Sequence, residues 1–313
     1  MKNTTQPKKI LFFRLDARVG DSIVHLFFIR ELKKLFPKAH LTVATFVPSD
    51  VFFEGNLAID QLVLLPNISK GYLQPNVLWA LLKMLYQSYA QEYDLIIPNN
   101  VLATWRNTLY CHLLPHTIFP TFDYNHHIID SYKNLLKQLG ARTIDTSYEL
   151  PLKEEHRQKA ANFLQKNNLR DNQFVVVNPT GSASERNLSI EQIKEILTLL
   201  WQRNQAVVLL DYKQQFKGMF QNIVLDERQN ILEVAALLEK ARAVITVDTG
   251  IVHLADALKK PLLVLYAHDK YGTLHNRTFW SSVQPNIQSI QSKNQVADIS
   301  PKQILDKMKE FLV

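Results

Sequence analysis

Three stretches of this chain place carboxylates, glycines, hydroxyls and cations where an apolar strand gives way to a helix. The first reads Arg14-Leu15-Asp16-Ala17-Arg18-Val19-Gly20-Asp21-Ser22-Ile23. Gly20 suits a tight turn, and Asp21 falls at the start of a helix, where unpaired N–H groups and the dipole favour a carboxylate. Two roles are open to Asp21 there: an N-cap, which aspartate fills well, or a base placed to take a proton. The second stretch is Asn178-Pro179-Thr180-Gly181-Ser182-Ala183-Ser184-Glu185-Arg186. The small residues Thr180, Gly181 and Ser182 let a backbone approach phosphate oxygens, and Arg186 adds a fixed charge of bidentate geometry. The same composition also suits a plain surface turn.

The third stretch runs from Val247 through Asp248, Thr249 and Gly250 to His253 and Leu258. It follows a strand and opens a helix, whose first N–H groups form an anion site fit for a diphosphate. Asp248 would be repelled by that diphosphate, so it reads as a residue that orders the loop or accepts hydrogen bonds from sugar hydroxyls. His253 stands one turn into the helix, facing either a ligand or the packed interior.

Other chemistries are disfavoured. The histidines are scattered, and the i, i+4 pair His112 and His116 is interrupted by Pro115, so no metal is expected. Neither a Gly-x-Gly-x-x-Gly fingerprint nor a Gly-x-x-x-x-Gly-Lys-Ser/Thr loop occurs, which argues against a dehydrogenase or a P-loop nucleotidase.

The elements that must position these residues follow from periodicity. Short apolar runs at Lys9 to Leu15, Leu41 to Phe46, Gln61 to Leu65, Asp94 to Pro98 and Thr117 to Phe119 read as strands. Helical stretches accompany them at Asp21 to Phe36, Val77 to Tyr89 and Ile128 to Leu139. Periodicity lapses from Gly140 to Leu152, which sets a domain boundary near residue 150. A second alternating series then extends from Phe174 to Tyr266, and Ser300-Pro301 opens a last helix. Alternating strands and helices imply parallel sheets. Two such units leave a cleft at the carboxyl ends of their strands, where open α/β sheets bind ligands.

The composition fits this division. A chain of 313 residues, 46% hydrophobic, exceeds the length at which single cores stop growing. The start is polar and lacks a signal-peptide pattern, and no run reaches the roughly 20 apolar residues of a membrane span. One cysteine, Cys111, fits a reducing cytoplasm. The net charge of +7 is dispersed along the chain, so an acidic lipid surface or a phosphorylated ligand suits it better than nucleic acid.

Taken together, the three loops resemble those of glycosyltransferase family 9, the lipopolysaccharide heptosyltransferases. The Asp-Thr-Gly-x-x-His-x-x-x-Ala-Leu pattern with the following Pro261 carries most of the likeness, with the Gly-Asp after the first strand and the Asn-Pro loop in the same order. The resemblance implies an α/β fold of GT-B architecture, two Rossmann-like parallel-sheet domains facing a central cleft. Residues 1–150 would bind acceptor and 151–299 donor, with a last helix, 300–313, packing back on the first domain. It implies inversion without metal or other cofactor, with Asp21 as catalytic base and Arg186, Asp248, Thr249 and Gly250 at the donor's diphosphate sugar. Family members carry lysine and a bulkier residue where this chain has Arg186 and Leu188. They also place a ribose-binding glutamate where it reads Asp211-Tyr212-Lys213-Gln214-Gln215, so Asp211 or a glutamine must substitute.

The expected activity is therefore transfer of a heptose from a nucleotide-diphosphate heptose, ADP-heptose in the family, to the anionic lipid-linked inner core of lipopolysaccharide or lipooligosaccharide. Arg18 and Arg106 are candidates for the acceptor's acidic groups, and the expected place is the inner face of the cytoplasmic membrane. The alternatives are a nucleotide-sugar epimerase of related architecture and a non-catalytic carbohydrate- or lipid-binding protein that kept the fold.

Overall fold

A computed structural model describes residues 6–15, 18–67, 73–90, 93–99, 105–268, 280–281 and 287–311. Its two compact units divide between Pro151 and Leu152, and Trp280 belongs with the first.

In the first unit, β1 (Lys9–Arg14) is buried from Ile10 to Arg14. A strand covered on both faces has no polar side to alternate with, as expected of a central parallel strand. It lies between β2 (His40–Phe46) and β4 (Leu95–Asn99), with β3 (Gln61–Leu65) at the edge beyond β2, and every pairing is parallel. Among the described residues, four helices accompany this sheet: α1 (Val19–Leu35), α2 (Pro75–Ala90), α3 (Trp105–Leu113) and α4 (Ile128–Gln138). Leu11 and Phe13 share a core with Val77 and Met84 of α2 and Cys111 of α3. Phe12 points the other way, as strand alternation requires, and meets Phe28 of α1 and Tyr132 of α4. The expected strand at Thr117 to Phe119 is reduced to one bridge between Thr117 and Ile96. Pro115 and Pro120 flank it, and a proline has no N–H to extend a ladder.

The second unit begins with α5 (Glu154–Lys166) and continues β5 (Phe174–Asn178), α6 (Ile190–Gln202), β6 (Ala206–Leu210), β7 (Val224–Asp226), α7 (Ile231–Lys240) and β8 (Ala243–Val247). It ends with α8 (Gly250–Ala257), β9 (Leu262–Tyr266), β10 (Ile287–Gln291) and α9 (Pro301–Phe311). Its sheet is parallel in the order β10-β9-β8-β5-β6-β7. The two outermost strands escape a reading of apolar runs: β7 has three residues, and β10 is Ile-Gln-Ser-Ile-Gln. A capping box starts α6, where Ser189 and Gln192 satisfy each other's N–H groups. The same Gln192 amide donates to the carbonyls of Val296 and Ile299 at 2.9 and 2.7 Å, anchoring the approach to α9. The apolar residues Ile304 and Met308 of the last helix join the second unit's own core. There α9 packs on α6, β9 and β10.

Candidate active site

The first unit's site grows from the carboxyl end of β1. Arg14, its last residue, is fully buried, which a guanidinium tolerates only with partners. Its Nη1 donates to Ser22 Oγ at 2.5 Å and Thr45 Oγ1 at 3.3 Å, and its Nη2 reaches the Arg18 carbonyl at 3.4 Å. It also lies 5.4 Å from the Phe53 ring centroid. One side chain thus ties the end of β1 to β2 and to the first turn of α1.

That turn starts earlier than the sequence suggests. Helix α1 opens at Val19, so Gly20 is its second residue rather than a loop turn, and Arg18 is the N-cap, with no side-chain cap bond. Asp21 is therefore the third helical residue and not the cap, which corrects the N-cap reading. It is 8% exposed, and its Oδ2 lies 2.6 Å from Arg18 Nε. The Arg18 guanidinium in turn sits 4.9 Å from the Trp280 ring centroid. Arg106 belongs to α3, and its side chain lies outside the described residues.

Behind Asp21, one turn along α1, His25 is fully buried. Its Nε2 stands 2.9 Å from the Tyr132 hydroxyl, which donates to Asn99 Oδ1 at 2.9 Å. With the tyrosine proton committed to Asn99, His25 carries its own proton on Nε2. Burial pushes its pKa well below the usual value, and Arg14 and Arg18 add to the effect. The ring is neutral and links α1, α4 and the end of β4.

In the second unit, Asn178 ends β5 in a buried position and donates through Nδ2 to Thr246 Oγ1 at 2.9 Å and to Thr249 Oγ1 at 3.0 Å. Thr249 is the N-cap of α8, its hydroxyl accepting from the Ile251 N–H. Thus the loop after β5 is fastened to the start of α8, with Gly250 as the first helical residue. Thr180 and Gly181 are buried and Ser182 is exposed. The Gly181 N–H donates to Asn187 Oδ1 at 2.8 Å, and a Cβ on Gly181 would come within 2.7 Å of Arg186 Cβ. That close fold-back brings Arg186 Nη1 to 3.1 Å from Asp248 Oδ2. Asp248 thus orders the loop through a cation, one of the two roles open to it in the sequence. His253 is buried on α8, 7% exposed.

Asp211 holds its own turn. Its two carboxylate oxygens accept the N–H groups of Gln215 and Phe216 at 2.7 and 2.8 Å, and it is buried. Gln214 and Gln215 are exposed on that turn. Burial pushes the Cys111 thiol up to about 12, so it is no nucleophile at neutral pH. His127 caps α4, and α3 ends before His116. Among the described residues, no three His, Cys, Asp or Glu side chains gather as metal ligands.

The model of the family described as Glycosyltransferase family 9 (heptosyltransferase) matches residues 120–308, more than half of the chain. The chain belongs to glycosyltransferase family 9. Among relatives, the Escherichia coli (strain K12) protein named "Putative lipopolysaccharide heptosyltransferase 4" is 24% identical over 98% of this chain and 88% of its own length. A solved family 9 glycosyltransferase of Veillonella parvula DSM 2008 superposes with a TM-score of 0.80 at 18% identity, covering 99% and 98% of the two chains. The E. coli ADP-heptose lps heptosyltransferase II does so at 0.71 and 14%, covering 97% and 98%. The fold is that of the GT-B heptosyltransferases, two Rossmann-like parallel-sheet domains, and the chain is a glycosyltransferase.

Within each unit, several residues near these loops carry weight that sequence reasoning did not assign. Arg14, Asn178 and Asn99 are polar residues closing otherwise apolar strands, and that pattern was their legible signal: a polar group at the carboxyl end of a buried strand must have a partner. Asn187 and Trp280 had no such signal, because they act through contacts made only in the folded chain.

Proposed function

We propose that this enzyme transfers a heptose, with inversion and without a metal ion, from ADP-heptose to the inner core of lipopolysaccharide or lipooligosaccharide. The carrying observation is the fastening of Arg186 and Asp248 beside the Asn178-supported cap of α8. This sets a guanidinium and a helix N-terminus on adjacent loops, a pairing suited to receive a diphosphate. In this reading Thr180, Gly181 and Ser182 line the phosphates, Thr249 and Gly250 meet them at the helix start, and Asp248 and His253 lie on the sugar side. An exposed glutamine, Gln214 or Gln215, takes the ribose. The names of the heptosyltransferase relatives support the sugar and the acceptor, and that of the E. coli heptosyltransferase II supports ADP as the nucleotide.

The reaction is a direct displacement. An acceptor hydroxyl attacks the anomeric carbon, the new C–O bond forms as the bond to the diphosphate breaks on the opposite face, and Asp21 takes the hydroxyl proton. Negative charge grows on the departing ADP, where Arg186 and the α8 N-terminus stabilise it. Arg18, paired with Asp21, exchanges that carboxylate for an acidic group of the acceptor and so releases Asp21 to act as base. The acceptor is lipid-linked, which places the enzyme at the inner face of the cytoplasmic membrane.

Thermal unfolding tests the donor. Stabilisation follows affinity for the folded state, so ADP should raise the melting temperature more than UDP or GDP at equal concentration, with excess chelator present. A clear preference for UDP overturns the heptose reading while leaving the family assignment standing.

A further inference from the structure

Helix α2 is apolar on its outward face as well as its inward one. A surface helix ordinarily turns charge outward and an apolar stripe inward. Here the inward stripe is Val77, Ala80, Met84 and Ser88, while the outward positions carry Leu78, Trp79, Leu82, Tyr86 and Tyr89. Tyr86 is 74% exposed, Trp79 65% and Leu82 64%. Scattered exposed hydrophobics are ordinary, but a continuous stripe marks an interaction surface.

The stripe extends onto its neighbour. The Tyr89 hydroxyl donates to the Leu113 carbonyl and the Tyr110 hydroxyl to the Leu81 carbonyl, each at 2.8 Å, which holds α3 beside α2. Leu109 and Leu113 of α3 are exposed on the same patch, and Ile118 and Phe119 just beyond it are partly so. On the other side of α2, Leu62 and Leu64 of the edge strand β3 line a groove with Trp79 and Lys83.

Charge selects the partner. Residues 61–91 and 95–122 contain no Asp or Glu, although the chain has 29 acidic residues, and their cations include Lys83 and Arg106. Lys83 lies with its ammonium 5.4 Å from the Trp79 ring centroid, its stem along the apolar stripe and its head at the rim. Tryptophan and tyrosine beside lysine on an apolar face, with Glu92 and Asp94 the two acidic residues of the stretch 61–122, suit a helix lying in the headgroup region of an anionic bilayer. No helix among the described residues is long and apolar enough to cross a membrane, so contact is with one leaflet.

We infer that the α2–α3 face, centred on Trp79, Lys83 and Tyr86, docks the enzyme on an anionic lipid surface. Because α2 connects two parallel strands, it starts at the sheet edge where β1 ends and Asp21 stands. A lipid-linked saccharide would then rise from the bilayer on the side of the base. The inference rests on the lipid-linked acceptor proposed above.

The test is co-sedimentation of the full chain with phosphatidylglycerol-containing vesicles and with pure phosphatidylcholine vesicles, with no donor present. The parent should bind the anionic vesicles in preference, and less so at high salt. The exposed double substitution Trp79→Ser with Tyr86→Ser should weaken binding roughly tenfold or more, with melting temperature unchanged. Lys83→Glu should weaken it further. Transfer to a soluble, deacylated acceptor should persist in each variant. Absent vesicle binding by the parent, or equal binding by the double variant, overturns the inference. So does a parent that is dimeric, fails to bind vesicles and becomes monomeric on the double substitution, because the face then joins two copies of the chain. Loss of transfer to the soluble acceptor by the parent itself would instead overturn the proposed reaction and leave the docking surface standing.

Discussion

Arg186 Nη1 and Asp248 Oδ2 lie 3.1 Å apart, so the cation after β5 is held by the carboxylate that opens the loop into α8. Both side chains remain partly exposed, so the pair contributes little to stability, and its value is positional. It keeps the guanidinium from swinging into solvent and leaves donor hydrogens on the fork for a second anion.

Arg186→Ala should weaken ADP binding and slow transfer, because charge and fork are both lost. Arg186→Lys should recover part of each, since lysine keeps the charge but not the bidentate geometry. Asp248→Asn should leave the protein folded and bind ADP with a less well-ordered Arg186, an intermediate loss. Calorimetric titration with ADP on the three variants checks the ranking, and an alanine variant that binds like the parent removes Arg186 from the site.

The sequence showed the sheets more fully than the site. Strands buried on both faces, such as Phe174–Asn178 and Ala243–Val247, read directly as apolar runs. Where strands are short or half-polar, as at Val224–Asp226 and Ile287–Gln291, pairing to a neighbour supplies what the local pattern lacks. The Asn-Pro and Asp-Thr-Gly loops were visible by residue type. Their fastening through Asn178 to Thr249 was not, because two residues 71 positions apart in sequence meet only once the sheet has formed. Asp211 shows the converse: the resemblance offers it, or a glutamine, in place of the family's ribose-binding glutamate, and the N–H groups of the turn beyond it bond both of its oxygens.

His25 gives the fold a pH dependence with a definite sign. Its folded-state pKa lies below the unfolded value of 6.5, so the unfolded chain binds the extra proton first. The stability His25 allows is full above about pH 6.5 and is lost as pH falls from there toward the lowered folded value, by at most about 1.4 kcal/mol per pH unit. His25→Phe keeps an aromatic ring beside Phe12 and Tyr132 and removes the proton. Denaturant unfolding from pH 7.5 to 5 should therefore show a shallower acid decline for the variant than for the parent. Parallel curves would mean that His25 is not the neutral, proton-excluding group that its burial implies.

Asp21 separates a positioning carboxylate from a catalytic one. The residue is not the N-cap of α1, so asparagine in its place removes no cap. Asparagine still offers an oxygen to the Arg18 Nε that now lies 2.6 Å from the carboxylate. What is lost structurally is the charge of an ion pair whose arginine is partly exposed and whose aspartate is buried, and one favourable interaction with the helix dipole. What is lost chemically is the proton acceptor, and positioned acid–base catalysis typically contributes about 10²- to 10⁴-fold. Asp21→Asn should therefore melt within a few degrees of the parent and bind ADP as well as it does, since the donor loops belong to the second unit. Turnover should fall by roughly 10²-fold or more. Transfer rate, ADP affinity and melting temperature measured on one preparation decide the matter. A folded variant that binds ADP and turns over within a few-fold of the parent would show that Asp21 only orients Arg18, and the base would then lie elsewhere.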